Sequence, residues 1–120
     1  MRKLLLVALL AAVPAGAEAM DVKTFLTRAE AVKKKGMLAL FSSELEALKA
    51  EIRTQATSLK AERAAARAAG RPQAYCPPEQ AALDQNEILA SFQAIPEAQK
   101  SRIQVRDALK ALLVKKYPCR

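Results

Sequence analysis

Two residues in this chain can form a covalent cross-link, and they are the only two of their kind. Cys76 sits in Tyr75-Cys76-Pro77-Pro78, and Cys119 ends Lys115-Lys116-Tyr117-Pro118-Cys119, one residue from the C-terminus. Paired cysteines can be a structural disulfide, a redox-active dithiol or half of a metal site. No Cys-x-x-Cys is present and the chain has no histidine, so the redox and metal alternatives lack their usual partners. In an exported chain, two cysteines and no third most simply form one intramolecular disulfide. A loop of about 44 residues closed in this way contributes ~4 kcal/mol in the chain-entropy description. That is a large share of the ~5–15 kcal/mol that typically holds a domain together.

The other chemistry-bearing side chains are charged. Lys and Arg number 20 against 12 Asp and Glu, a net charge of +8. Two local clusters stand out: Lys33-Lys34-Lys35, and Arg63, Arg67 and Arg71. Arg63 and Arg67, four residues apart, share one face of a helix. Each cluster reads either as a partner-binding surface or as a solvated face that aids solubility. The absence of histidine removes a His-based triad, a His metal ligand and an imidazole general base. There is no Gly-rich phosphate loop and no Gly-x-Ser-x-Gly elbow. The expectation is a protein that is not an enzyme and carries no cofactor.

The elements that position these residues begin with a leader. Met1-Arg2-Lys3 precedes the apolar run Leu4–Val13, Pro14 breaks it, and small residues follow at Ala15, Ala17 and Ala19. This is the layout of a cleavable secretory signal over residues 1–19, cut after Ala19 or after Ala17. The run is shorter than the roughly 20 residues a membrane span needs. The chain is therefore expected to be exported to an oxidising compartment. The remaining 20–120 then form a single domain with a charge of +7, from 18 basic and 11 acidic residues. Ala is abundant, Gly scarce and aromatics make up only 4%, which favours helices over sheets.

An all-α bundle of four or five helices follows from the patterning. Asp21 is placed to cap a helix from Val22 to Lys35, with Val22, Phe25, Leu26, Ala29 and Val32 at helical spacing and Gly36 as its stop. Met37-Leu38-Ala39-Leu40-Phe41 is wholly apolar and is expected to be buried as a turn or short helix. Ser43-Glu44-Leu45-Glu46 has the form of a capping box. It opens a long helix over about 43–69 carrying Leu45, Leu48, Ile52, Ala56 and Leu59, with Gly70 and Pro72 beyond its end. The alanine-rich second half either projects toward a partner or continues across the domain surface. Leu83-Asp84-Gln85-Asn86-Glu87-Ile88 reads as a helix start with Asp84 as the cap and Glu87 as its reciprocal partner, and with Ile88, Leu89 and Phe92 facing inward. Pro96 opens a further turn. The last helix, about Gln104 to Lys116, turns Val105, Ala108, Leu109 and Leu112 toward the core, with Leu113 beside them.

Cys76-Pro77-Pro78, Leu83-Asp84 and Tyr117-Pro118-Cys119 resemble the Rap/Tai immunity-protein family over residues 75–119. The resemblance implies an HdeA-like all-α fold in the periplasm, with Cys76 and Cys119 as the structural bridge. It also implies stoichiometric binding that neutralises an effector delivered by type VI secretion. The basic surface would suit an acidic effector face. A pI near 9.8 brings nucleic acid to mind, but the leader and the lack of a stacking aromatic set argue against it. The second expectation is a structural or chaperone-like envelope protein that uses its basic residues on anionic surfaces, including membranes.

Overall fold

The computed structural model describes residues 19–120. The expected leader falls outside this range, save Ala19. Among the described residues, five α-helices and one 3-10 helix follow in order: α1 (Val22–Lys34), the 3-10 segment (Gly36–Phe41), α2 (Ser43–Ala68), α3 (Gln85–Gln93), α4 (Glu97–Lys100) and α5 (Val105–Lys116). No strand occurs among the described residues, and the fold is all-α.

The helix boundaries follow from local chemistry. The Asp21 carboxylate accepts from the Thr24 backbone N–H at 2.7 Å and so caps α1. Gly36, at φ +60°, stops it, and Gly70, at φ +68°, stops α2; both positions need the left-handed conformation that glycine adopts freely. At Gly70 the turn closes as a Schellman motif. Arg71 N–H reaches Ala66 C=O at 2.8 Å and Gly70 N–H reaches Arg67 C=O at 3.1 Å.

Two caps differ from expectation. Ser42, not Ser43, caps α2, its hydroxyl accepting from Glu44 N–H at 3.2 Å. The 3-10 segment ends at Phe41, which leaves Ser42 as the extended residue at the helix entrance. Asp84 occupies the N-cap of α3 but makes no side-chain capping bond. Its expected reciprocal partner, Glu87, is instead paired with Lys116 of α5 at 2.8 Å. A charged partner outcompetes a neutral backbone N–H.

The core is one cluster drawn from every long helix. Val22 and Phe25 of α1, Leu48 and Leu59 of α2, Ile88 and Phe92 of α3, and Val105, Ala108, Leu109 and Leu112 of α5 are buried in it. Phe92 is fully buried and meets Phe25 edge-to-face, ring centroids 5.5 Å apart, the arrangement aromatic quadrupoles favour. At the N-terminal side, Val22 N–H donates to Ile103 C=O at 2.8 Å and Val105 N–H to Met20 C=O at 2.9 Å. These two bonds fasten the start of α1 to the start of α5.

The second half of α2 lies along α5 and does not project. Leu59 is buried, and Glu62 accepts from both Arg106 and Lys110 of α5. A further correction concerns the apolar connector. It is a short helix, but only Ala39 is buried, while Met37, Leu38, Leu40 and Phe41 stand in solvent.

Cys76 and Cys119 form the disulfide, with Cα atoms 4.9 Å apart and a sequence separation of 43. Beside it, Cys76 N–H donates to Tyr117 C=O at 2.8 Å. The bond thus ties the long loop between α2 and α3 to the end of α5. Cys76→Ser is expected to lower stability by about 4 kcal/mol, read as a fall in melting temperature or urea midpoint. An unchanged midpoint would show that the loop is held without the bond.

Candidate groove between the helices

Not all of the apolar stripe on each helix is covered. Leu26 and Ala29 of α1, Leu45 and Ile52 of α2, Leu83 before α3 and Leu89 within it are only partly buried. They line an open groove of about 1740 Å³ bounded by α1, α2, α3 and the Cys76 loop. One wall is that loop, which contributes Tyr75, Pro77, Pro78, Glu79 and Ala81. The loop is held from both sides. Tyr75 is buried beneath the Arg63 guanidinium, 5.4 Å from its ring centroid, while Arg63 Nε donates to Gln73 at 3.2 Å. The disulfide anchors the next residue. Burial pushes the Tyr75 hydroxyl above its ordinary pKa, so the phenol stays neutral at any physiological pH.

The rim is cationic. Lys23, Lys33, Lys34, Lys49, Arg53, Lys60, Arg63 and Lys100 line it, against Glu30, Glu79 and Glu97. Lys49 lies near Glu46 at 3.7 Å, and Lys100 is paired with Glu97 at 2.7 Å. Lys23, Lys33, Lys34, Arg53 and Lys60 make no ion pair among the described residues. An apolar floor with unpaired cations along its edge can take a ligand that is apolar on one side and acidic on the other.

The residues singled out in the sequence divide. Lys33, Lys34 and Arg63 come together at this groove. Lys35 lies just outside it, its ammonium 3.5 Å from the Ser42 hydroxyl. Arg67 lines a second, smaller depression with Lys60 and Arg63, and Arg71 lines neither. Arg63 clamps the loop as well as edging the groove. Sequence reasoning missed Lys49, Arg53 and Lys60. With Arg63 and Arg67 they are spaced by four, seven, three and four residues, the spacing of a single helical face. Clusters of near neighbours do not reveal them, and that longer stripe is the signal that would have found them.

Among the described residues, no group of three or more His, Cys, Asp or Glu side chains converges on a point that could hold a metal. Several carboxylates are engaged in ion pairs between elements. Arg28 of α1 pairs with Glu44 of α2. Glu62 joins Lys110, at 2.8 Å, and Arg106. No family model, no curated protein and no solved structure matches this chain.

These pairings set an acid limit. The Lys110 and Arg106 contacts hold the Glu62 carboxyl below its ordinary pKa, and Arg28, Lys116 and Lys100 do the same for Glu44, Glu87 and Glu97. A carboxyl with a depressed folded-state value contributes stability that is fully present above its unfolded value, about 4.3 for Glu. That contribution is lost as pH falls through the lower folded value. The melting temperature is therefore expected to hold from neutrality to about pH 5 and to drop below about pH 4.3. Glu62→Gln should lower it at pH 7 and make the acid drop shallower, measured by calorimetry across that range.

Proposed function

We propose that this chain is an exported periplasmic binding protein of immunity type, which neutralises an effector protein by occupying it one to one. The observation that carries the reading is the open groove, with an apolar floor at Leu45, Ile52, Leu83 and Leu89 and a rim of unpaired Lys33, Lys34, Arg53 and Lys60. The ligand that satisfies both features is an acidic amphipathic segment of a protein partner, its apolar side at helical spacing on the floor and its carboxylates against the rim. Complementary charge raises the association rate and selects the partner, while burial of the half-covered leucines supplies affinity. The likeness of Cys76-Pro77-Pro78 and Tyr117-Pro118-Cys119 to the Rap/Tai family adds the class of partner: a secreted effector delivered by type VI secretion. The same reading makes the protein a binder without enzymatic activity or cofactor.

The test uses the oxidised protein as bait in periplasmic extract, followed by titration of the captured partner in purified form. The expected result is a 1:1 complex whose association slows as salt is raised. Arg53→Glu combined with Lys60→Glu is expected to slow association by about tenfold or more while leaving the fold intact, because both side chains are exposed. Cells lacking the protein are expected to be killed on contact with siblings that carry the effector. Unharmed mutant cells would remove the immunity role. A salt-labile mixture of many proteins, with no stoichiometric complex, would remove specific binding altogether.

A further inference from the structure

The 3-10 segment between α1 and α2 presents a surface unlike the groove. Met37, Leu38, Leu40 and Phe41 are 85%, 74%, 71% and 89% exposed, whereas Ala39 is 9% exposed. A 3-10 helix has three residues per turn, so residues three apart fall in one row. The row of Ala39 and Ser42 is the covered one, with Ala39 buried and Ser42 half-buried, while Gly36 at its head is exposed. The other two rows, Met37 with Leu40 and Leu38 with Phe41, both face solvent and are both apolar.

Nothing in the packing of the domain requires this. Four large apolar side chains in water are unfavourable, and such patches mark contact sites. The segment is also held in shape. Ser42 N–H donates to Ala39 C=O at 3.0 Å and Leu38 N–H to Lys35 C=O at 3.3 Å, so its two ends are fixed. At its base stand Lys33, Lys34 and Lys35, none of them in an ion pair among the described residues. On α2, Glu44 is paired with Arg28 and also feels the charge of Lys35, and Glu46 lies beside Lys49.

We propose that this knuckle docks the protein on an anionic lipid surface. Met37, Leu38, Leu40 and Phe41 enter the boundary between headgroups and acyl chains, and Lys33, Lys34 and Lys35 lie at the level of the phosphates. Stable peripheral attachment takes two signals, an apolar insertion and a basic patch, and both are here within nine residues of sequence. No helix among the described residues is long and apolar enough to cross a membrane, so the contact lies on the surface. A second copy is a poor occupant, since its groove has a cationic rim that would repel the lysine collar. A lipid surface also asks for no pocket to receive a protruding tip.

The chain contains no tryptophan, so Phe41→Trp introduces a single fluorescent reporter at the tip. The experiment uses the full chain, expressed with residues 1–19 and purified in the form the cell leaves it. It is mixed with vesicles of phosphatidylglycerol and phosphatidylethanolamine, or of phosphatidylcholine alone. Flotation on the anionic vesicles is expected, with a blue shift in the emission of the introduced indole. Leu38→Ser with Phe41→Ser is expected to weaken flotation by about tenfold or more. Neutralising Lys33, Lys34 and Lys35 to Gln is expected to weaken it comparably on anionic vesicles only. Unchanged circular dichroism shows that the variants fold, as the exposure of the substituted side chains leads one to expect. Absence of flotation overturns the proposal. So does flotation with no blue shift, which would place the contact on another basic face. A dimer that the serine variants dissociate, independent of vesicles, overturns it in favour of self-association, and a knuckle required for capture of the partner protein overturns it in favour of a protein contact.

Discussion

The buried stripe of α5, formed by Val105, Ala108, Leu109 and Leu112, is the constraint on which the other elements depend. Its start is fastened to the entrance of α1 by the two backbone bonds between residues 20–22 and 103–105. Its flank is held to α2 through Glu62, and its end to the loop after α2 by the Cys76–Cys119 bond. A domain of about a hundred residues buries a modest share of its surface. Fixing one central helix at both ends and along its side lets a small core define a unique arrangement.

The same fixing explains why a groove can stay open. Helices with half-covered apolar faces would ordinarily close on one another, because burying that surface is favourable. Here the disulfide, the Arg63–Tyr75 stack and the Arg63–Gln73 bond hold the loop wall in place, while the Arg28–Glu44 pair ties α1 to α2. The apolar floor therefore remains available to a ligand. Lys33 and Lys34 stand both at the groove and at the base of the apolar knuckle. The proposed partner capture and lipid contact would then share a border.

Much of the fold is legible in the sequence because it is encoded locally. The periodicity of Val105, Ala108, Leu109 and Leu112 marks the inner face of α5, and Gly36 and Gly70 end their helices in the conformation only glycine adopts cheaply. With two cysteines there is one intramolecular pairing to form. What is not legible depends on competition or on three-dimensional neighbours. Two consecutive serines both fit a cap, and the end of the 3-10 segment selects Ser42. Glu87 has a second suitor in Lys116, 29 residues away. The run Met37–Phe41 reads as core because it is apolar throughout. Its 3-10 turn, which puts only Ala39 inward, is a signal that a helical or strand period does not detect. The groove is the least visible feature. Leu26, Leu45 and Ile52 have the spacing of buried residues, and spacing alone does not say that no element covers them.

The measurement that bears most directly on partner capture is site-specific photo-crosslinking in living cells. Ala56 is exposed and faces the groove, whereas Asp107 is exposed on α5 away from it. A photo-reactive amino acid at position 56 is expected to give one discrete adduct with a second protein, and the same group at position 107 none. No adduct from position 56, or the same ladder of adducts from both positions, would contradict the assignment of the groove as the binding surface.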